Sequence, residues 1–425
     1  MNQNYKKRIA DKLLRNQLEA SGVVLIQGPK WCGKTTTAEQ AAASTLYMDN
    51  PKQLKANLLM AENDPEILLE GKTPRLIDEW QLAPQLWDAA RFMVSHRGLP
   101  GQLIFTGSAV PADKSKIIHT GTGRFAWLTM RPMCLWESEE SNGSVSLGEL
   151  FEGNKASSSA PDMSLSDLAF ILCRGGWPGS LVLSKEAALR QANNYVEAVC
   201  NDDISRADDV KRDPTFARRL MRSYSRHQGA GASISTLYAD LSTGGNESMS
   251  KETIASYLAT LKKIFVVEDM PAWNPNLRSK TAIRTSDTRY FVDPSIATAS
   301  LGVGPKDLLN DLNTFGLLFE TLAVRDLRIY ADALDGQVFH YRDSNGLECD
   351  AVVHLRNGKY GLIEIKLGGE TLIEEGAKTL LKLSERIDTT RMKAPSFLMV
   401  LTATGAYAYQ RNDGVLVVPI SSLKD

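Results

Sequence analysis

Between residues 22 and 135, short apolar runs alternate with longer stretches in which apolar positions recur at helical spacing. The runs at 23–27, 45–48, 75–78, 102–106 and 126–130 read as strands, each short enough to cross a small sheet and each followed by helix-forming sequence. Strand and helix in alternation predict an α/β layer with a parallel sheet covered by helices.

From Glu137 to Ser166 the pattern gives way to Ser, Gly, Glu, Asn and Pro, the composition of a surface loop or domain boundary. Helix-spaced apolar residues return from Asp167 to Arg226, with one break at Arg174-Gly-Gly-Trp-Pro-Gly179, where two glycines and a proline forbid helix continuation. Two short helical patterns, 234–241 and 250–263, flank a Gly-rich turn and lead into a strand-like Ile264-Phe-Val-Val-Glu268 and a basic return. That order is similar to a winged helix-turn-helix. From about Thr314 a helix, three strands, a helix near 372–388 and strands near 396–401 and 415–419 predict a second α/β unit.

Composition narrows the classes. Of the 425 residues, 43% are hydrophobic and 23% charged, and the net charge is −1, so a global polyanion binder is excluded and any nucleic-acid surface must be local. No apolar run approaches the roughly 18 residues that cross a bilayer, and no signal-peptide core follows the start, so the expected location is cytoplasmic, with no membrane partner. The five cysteines are far apart without C-x-x-C spacing, and the five histidines are scattered, which predicts neither a zinc site nor a disulfide framework.

The chemistry starts at Gly28-Pro29-Lys30-Trp31-Cys32-Gly33-Lys34-Thr35, followed by Thr36, which fits G-x-x-x-x-G-K-[ST] between an apolar strand and a helix. In that context the loop amides and the helix N-terminus cradle phosphates, Lys34 meets the outer ones, and Thr35 ligates Mg²⁺. The expected cofactors are ATP, as the nucleoside triphosphate, and Mg. The strand Arg75-Leu-Ile-Asp78 ends in a carboxylate suited to the metal, and the adjacent Glu79 is the candidate general base for the attacking water. The run Gln102-Leu-Ile-Phe-Thr106 ends in Gly107-Ser108, which sets a hydroxyl where it can sense the γ-phosphate, although a plain strand-ending turn has the same composition. Arg124 precedes a strand and can serve a neighbouring subunit as an arginine finger; a lone surface arginine is ordinarily a solvated charge.

The last segment places Glu348-Cys-Asp350 fourteen residues before Glu364-Ile-Lys366, with Glu320 on the preceding helix. This resembles the restriction-endonuclease-like PD-(D/E)xK arrangement, in which Asp350 and Glu364 bind Mg²⁺ and Lys366 positions the hydrolytic water. A three-residue hairpin at Arg356-Asn-Gly358, with Gly358 left-handed, pairs Leu355 with Lys359 and hence Asp350 with Glu364. One face then carries Asp350, Val352, His354, Tyr360, Leu362, Glu364 and Lys366; the other, from Cys349 to Leu367, is apolar. A two-residue Asn-Gly turn would oppose Asp350 to Ile365 and break the site.

Arg206, Lys211, Arg212, Arg218, Arg219, Arg222 and Arg226 outnumber Asp208, Asp209 and Asp213 locally, and Lys262, Lys263, Arg278, Lys280 and Arg284 follow in the winged-helix-like stretch. Such a basic helix and wing suit DNA phosphates; solvated helix faces or subunit contacts are the alternatives.

The ordered set GPKWCGKTTT, LIDEWQ, FTGSA, GRFAWLTMRPMCLWE and GGWP resembles the bacterial and archaeal AAA+-like ATPases whose C-terminal half is the domain of unknown function 4143. The resemblance implies a P-loop AAA+ core in 1–140 and a linker with a helical, lid-like region in 141–230. A winged-helix-like part follows in 231–300 and a restriction-endonuclease-like domain in 301–425. It further implies Ser108 at the sensor position, Arg124 in the Gly-Arg element before the sheet-edge strand, and a homo-oligomer such as a hexameric ring. Three functions fit: an ATP-hydrolysing oligomer that acts on DNA and cuts it, an ATP-switched regulator whose nuclease-like domain only binds a partner, and a structural DNA-binding protein, against which Asp78-Glu79 argues.

Overall fold

The computed structural model describes residues 5–108, 121–154, 156–208, 210–242, 250–274 and 286–425. Its first sheet is built from β1 (Val23–Gln27), β2 (Ser44–Tyr47), β3 (Arg75–Asp78), β4 (Leu103–Gly107) and β5 (Phe125–Thr129), in the order β2-β3-β4-β1-β5 and parallel at each pairing. Strand side chains alternate between two apolar layers, as burial on both faces demands. Val24, Ile26, Leu76, Ile104 and Leu128 pack with Ala10, Leu14 and Leu18 of α1 (Ile9–Ala20) and Ala38 of α2 (Lys34–Ala41). On the other side Val23, Leu25, Ile77, Leu103 and Phe105 meet Leu68 and Leu69, while Trp87, Ala90 and Met93 close the layer. The helices concerned are α3 (Leu54–Asn63), α4 (Pro65–Leu69) and α5 (Leu86–Arg97).

Beyond β5 the elements are β6 (Val145–Ser146), α6 (Leu147–Phe151), β7 (Ser158–Ser159), α7 (Leu165–Arg174), α8 (Lys185–Ala198), α9 (Ile204–Arg206), α10 (Pro214–Ser225), α11 (Ile234–Ser242) and α12 (Lys251–Lys263). Then come α13 (Pro294–Leu301), α14 (Pro305–Asn310), α15 (Leu312–Ala333), β8 (Gly336–Arg342), β9 (Glu348–Leu355), β10 (Tyr360–Lys366), α16 (Glu370–Arg386), β11 (Phe397–Thr402), β12 (Tyr407–Gln410), β13 (Leu416–Pro419) and β14 (Leu423–Lys424). No helix among the described residues is long and apolar enough to cross a membrane.

Contacts divide the chain into two compact units. The first joins Met1–Pro132 with Ala198–Asp213 and Tyr257–Val266; the second holds Met133–Glu197, Pro214–Ser256 and Val267–Asp425. In the first unit the two later pieces are tied to each other by Arg212, whose guanidinium donates to Asp208 at 2.6 Å and to Thr260 at 2.8 Å. It lies 4.7 Å from the Tyr257 ring centre, a cation–π distance. The strand expected at 264–268 is absent. Instead α12 closes with the Phe265 amide donating to Lys262 and the Val266 amide to Leu261, and Phe265 sits at φ 59° in the left-handed position that glycine usually fills. Val267 and Met270 make isolated antiparallel bridges to Phe291 and Thr288, and Ala272 a parallel one to His340; the wing residues Arg278, Lys280 and Arg284 lie outside the described residues, as does Asp209.

The second unit contains a seven-stranded sheet, β7-β12-β13-β11-β10-β9-β8, in which β10, β11 and β13 run parallel and the flanking pairs antiparallel. The segment 137–166, expected as a loop or boundary, supplies β7 to this sheet and β6 as the partner of β14. The Gly-Gly-Trp-Pro break is a buried anchor. Gly176 donates its amide to Asp293, Trp177 its indole N–H to Ser295 at 2.9 Å, and Asp293 pairs with Arg325 at 2.8 Å. Arg325 also grips Asp326, which accepts the Leu135 amide at 2.9 Å, so each buried charge is paired and bonded. A Cβ on Gly176 would collide with the Met133 backbone and come within 2.8 Å of Arg325.

Candidate functional site

Three strands bring the first site together. The pairings Gln27 with Gly107 and Asp78 with Thr106 level the C-terminal ends of β1, β4 and β3, so the P-loop, Ser108 and the Asp78-Glu79 pair leave the sheet side by side. That edge is where open α/β sheets bind ligands. The loop bends because Gly33 takes φ 99° at the N-cap of α2, and because a Cβ on Gly28 would strike the Met130 carbonyl. Lys34, 6% exposed, donates to the carbonyls of Gly28 at 3.0 Å and Pro29 at 2.8 Å, so its ammonium lies inside the curl of the loop. Trp31 stands exposed at φ 67°, Cys32 is buried, and Lys30 pairs with Asp203 at 2.5 Å.

Thr35 donates its hydroxyl to Asp78 Oδ1 at 2.7 Å, and Thr106 donates to the same oxygen. Hydroxyl and carboxylate oxygens converging there are the hard donors that Mg²⁺ takes, with phosphate and water completing its shell. Burial lifts the Asp78 carboxyl above its ordinary range, opposed by those two hydroxyls. Glu79 is lifted too, chiefly by burial, against Lys34 and a hydrogen bond from Gln81. Ser108 is buried just past β4. Arg124 is exposed at the opposite end of the strands: its carbonyl accepts from Val23 at the start of β1, and its guanidinium donates to Ser95 at 3.0 Å. With five residues of strand between, Arg124 lies about 15 Å from its own P-loop.

Two further residues support the site. Arg8 donates to Cys32 O and to Arg131 O, both at 2.8 Å, bracing the P-loop from behind; nothing in its sequence surroundings marks it. Gln81 was visible as the last letter of LIDEWQ, yet only its contact with Glu79 gives it a role.

In the second unit Leu355 donates to Lys359 O at 2.8 Å and Gly358 has φ 83°, so the hairpin takes the three-residue turn. The ladder from Tyr360 with His354 to Ile363 with Ala351 sets Asp350 opposite Glu364 one step on. Lys366 spans them, its ammonium 3.0 Å from Asp350 Oδ2 and 2.7 Å from Glu364 Oε2. Asp350 also accepts the Ile365 amide at 2.7 Å. Glu320 accepts the Tyr290 hydroxyl at 2.5 Å and joins Asp350 in lining a cleft of about 360 Å³ with Gly229, Arg342 and Glu348. Burial, then the Asp350 charge, pushes both Glu320 and Glu364 up to about 8. Burial draws Lys366 down, but the two carboxylates outweigh it and hold the ammonium above its usual range. The face shared with the carboxylates is not open along its length: Val352, Tyr360 and Leu362 are buried with Ala377, Leu380 and Leu383 of α16, leaving the acidic end apart. Among the described residues no group of three His, Cys, Asp or Glu side chains is placed to hold a metal ion.

Several arginines of the basic stretch have partners within the chain, and one of them is buried. Arg212 is buried, which removes it from any phosphate surface. Arg206 pairs with Asp202, Arg218 with Glu197 and Arg226 with Asp240, and Arg219 donates to Leu241 O; Lys211, Arg222, Lys262 and Lys263 are exposed.

Residues 20–139 match the profile of a family described as an AAA domain, 165–307 that of domain of unknown function 8612, and 315–423 that of domain of unknown function 4143. Uncharacterized proteins of Mycobacterium tuberculosis and Mycobacterium bovis are each 23% identical over 424 residues, 98% of this chain and 84% of theirs. Among solved structures, the Walker-type ATPase PABY2304 of Pyrococcus abyssi overlaps 70% of this chain and 97% of its own, at 14% identity and a TM-score of 0.42. The ORC1 protein of Aeropyrum pernix, in complex with DNA, overlaps 70% and 92%, at 13% identity and 0.24. The chain therefore joins an AAA-type, P-loop ATPase-like core to a C-terminal sheet domain that matches domain of unknown function 4143.

Proposed function

We propose that the chain is a Mg²⁺-dependent ATPase that works as a homo-oligomer on DNA. The carrying observation is the contact of Thr35 with Asp78 beside Lys34, with Glu79 next in sequence. Thr35 and Asp78 would hold Mg²⁺, which would supply screening of the charge that develops on transfer. Lys34 binds the outer phosphates, Glu79 takes the proton of the attacking water, and Ser108 reads the γ-phosphate. Arg124 acts on the neighbouring subunit's nucleotide, a role its distance from its own P-loop supports, and a hexameric ring is the assembly the resemblance favours. Purified protein tested for Mg²⁺-dependent release of phosphate from ATP, with and without single- and double-stranded DNA, decides this reading; no turnover under any condition overturns it.

For the C-terminal domain, Asp350, Glu364 and Lys366 at one sheet end support a metal-dependent nuclease, with Glu320 beside them. Asp350 and Glu364 would hold a divalent ion, which would supply Lewis-acid activation of the phosphodiester, and Lys366 would position the attacking water. The bridging position of Lys366 equally supports a second reading, an ATP-switched module whose nuclease-like domain binds a partner without cutting. Mg²⁺- or Mn²⁺-dependent cleavage of plasmid DNA that disappears in Asp350→Ala selects the first; no cleavage in either protein selects the second.

A further inference from the structure

β3 ends at Asp78 and the chain continues as Glu79-Trp80-Gln81; the ATPase reading uses only Asp78 and Glu79 of these four residues. Trp80 is accounted for by packing: it is 3% exposed and lies against Trp87 and Phe105. Gln81 is not. Its carboxamide nitrogen donates to Glu79 Oε2, while its carboxamide oxygen is buried with no hydrogen-bond partner among the described residues. Because a carboxylate only accepts, the amide orientation is fixed with nitrogen toward Glu79. That oxygen lies against the end of β4, where a Cβ on Gly107 would come within 2.7 Å of it, one residue before Ser108. Glu79 itself is held in the left-handed region at φ 55°, so its side chain leaves the strand in a direction that strand geometry would not give.

We propose that Gln81 is a positioning residue for Glu79, clamping the carboxylate of the candidate base toward the nucleotide edge of the sheet through its amide nitrogen. The inference rests on the ATPase reading of the Asp78-Glu79 pair and adds a third member to it. A base on a backbone turned out of line has several rotamers open to it, and a single donor from two residues on selects one of them; a misplaced base costs turnover without loosening the nucleotide. The unpartnered oxygen is the acceptor through which the same carboxamide takes a hydrogen bond from water entering between Glu79 and Ser108, whose other proton passes to Glu79, so one side chain orients both partners of the proton transfer.

The test is a double-mutant cycle between Gln81→Met, which keeps the volume and removes both polar atoms, and Glu79→Gln. Single-turnover ATP hydrolysis, equilibrium binding of ATP with Mg²⁺, and thermal unfolding are measured for the four proteins. The expected result is at least a tenfold loss of hydrolysis in Gln81→Met with ATP affinity within twofold of wild type, and no further loss when Gln81→Met is added to Glu79→Gln. Gln81→Glu, which places a like charge against Glu79, should lose as much, and Gln81→Asn should recover part of the rate. A loss that follows ATP affinity, an additive loss in the double mutant, or hydrolysis that rises in Gln81→Met overturns the proposal. If wild type hydrolyses no ATP, the ATPase reading fails by itself, and the unfolding cycle still decides: non-additive melting shifts support the clamp on Glu79, and additive shifts reject it.

Discussion

Thr35 and Asp78 share a hydrogen bond of 2.7 Å, so the residue after the P-loop lysine and the residue ending β3 are already in register for one ion. Mutations on either side of this contact should separate binding from chemistry. Lys34→Ala should lose ATP binding by at least a hundredfold in isothermal titration, since the Lys34 ammonium is held inside the curl by the Gly28 and Pro29 carbonyls, whereas Lys30 is paired with Asp203. Glu79→Gln should keep ATP and Mg²⁺ and lose hydrolysis by about 10² to 10⁴, the range of a general base. Full turnover in Glu79→Gln would remove Glu79 from that role.

Arg124 should act between subunits. ATPase activity per chain should rise with protein concentration, and Arg124→Ala mixed with Lys34→Ala, each inactive alone, should recover activity as mixed assemblies form. Light scattering must first verify that the two variants co-assemble; recovery absent from assembled mixtures rejects the trans role.

The C-terminal carboxylates make stability depend on pH in a direction opposite to an ordinary salt bridge. Glu320 and Glu364 are raised from 4.5 to about 8, so the unfolded chain releases their protons more readily than the folded one. Their contribution is fully present below about 4.5 and is lost as the pH climbs through about 8. Melting temperature in metal-free buffer should fall across that interval, and Glu320→Gln should flatten the fall.

Gly176→Ala should destabilise the protein by about 2 to 3 kcal/mol, because a methyl group has no room beside the Met133 backbone and the Arg325 guanidinium. Denaturant melts measure this directly. A change below about 0.5 kcal/mol, the ordinary effect of a surface substitution, would show that the anchor yields.

What could be read from the chain beforehand was what local pattern dictates. Strands such as Val23–Gln27, buried on both faces, announce themselves as apolar runs, and Gly358 together with the apolar set opposite Asp350 leaves one hairpin register. Features made by distant partners were illegible. Ser158-Ser159 becomes a strand only because β12, some 250 residues on, needs an edge partner. Ile264 to Glu268 has strand composition, yet a helix cap with Phe265 in a left-handed turn satisfies the same apolar residues. Arg212 belongs to a basic run by sequence and to a buried contact with Asp208, Thr260 and Tyr257 in space. At the candidate sites the motif letters marked Lys34, Thr35, Asp78 and Glu79, whereas Arg8 acts from outside any motif through backbone carbonyls.

The first unit is assembled from three separate stretches of chain, with pieces of the second threaded between them. Deletion mapping is therefore a poor instrument for this protein. A fragment ending near residue 140 keeps the P-loop but discards Asp203, the partner of Lys30, and a fragment starting near 231 carries Tyr257–Val266 away from Arg212. Point substitutions respect the way the chain is woven; a single protease cut inside 133–256 would leave each half holding sequence that belongs to the other.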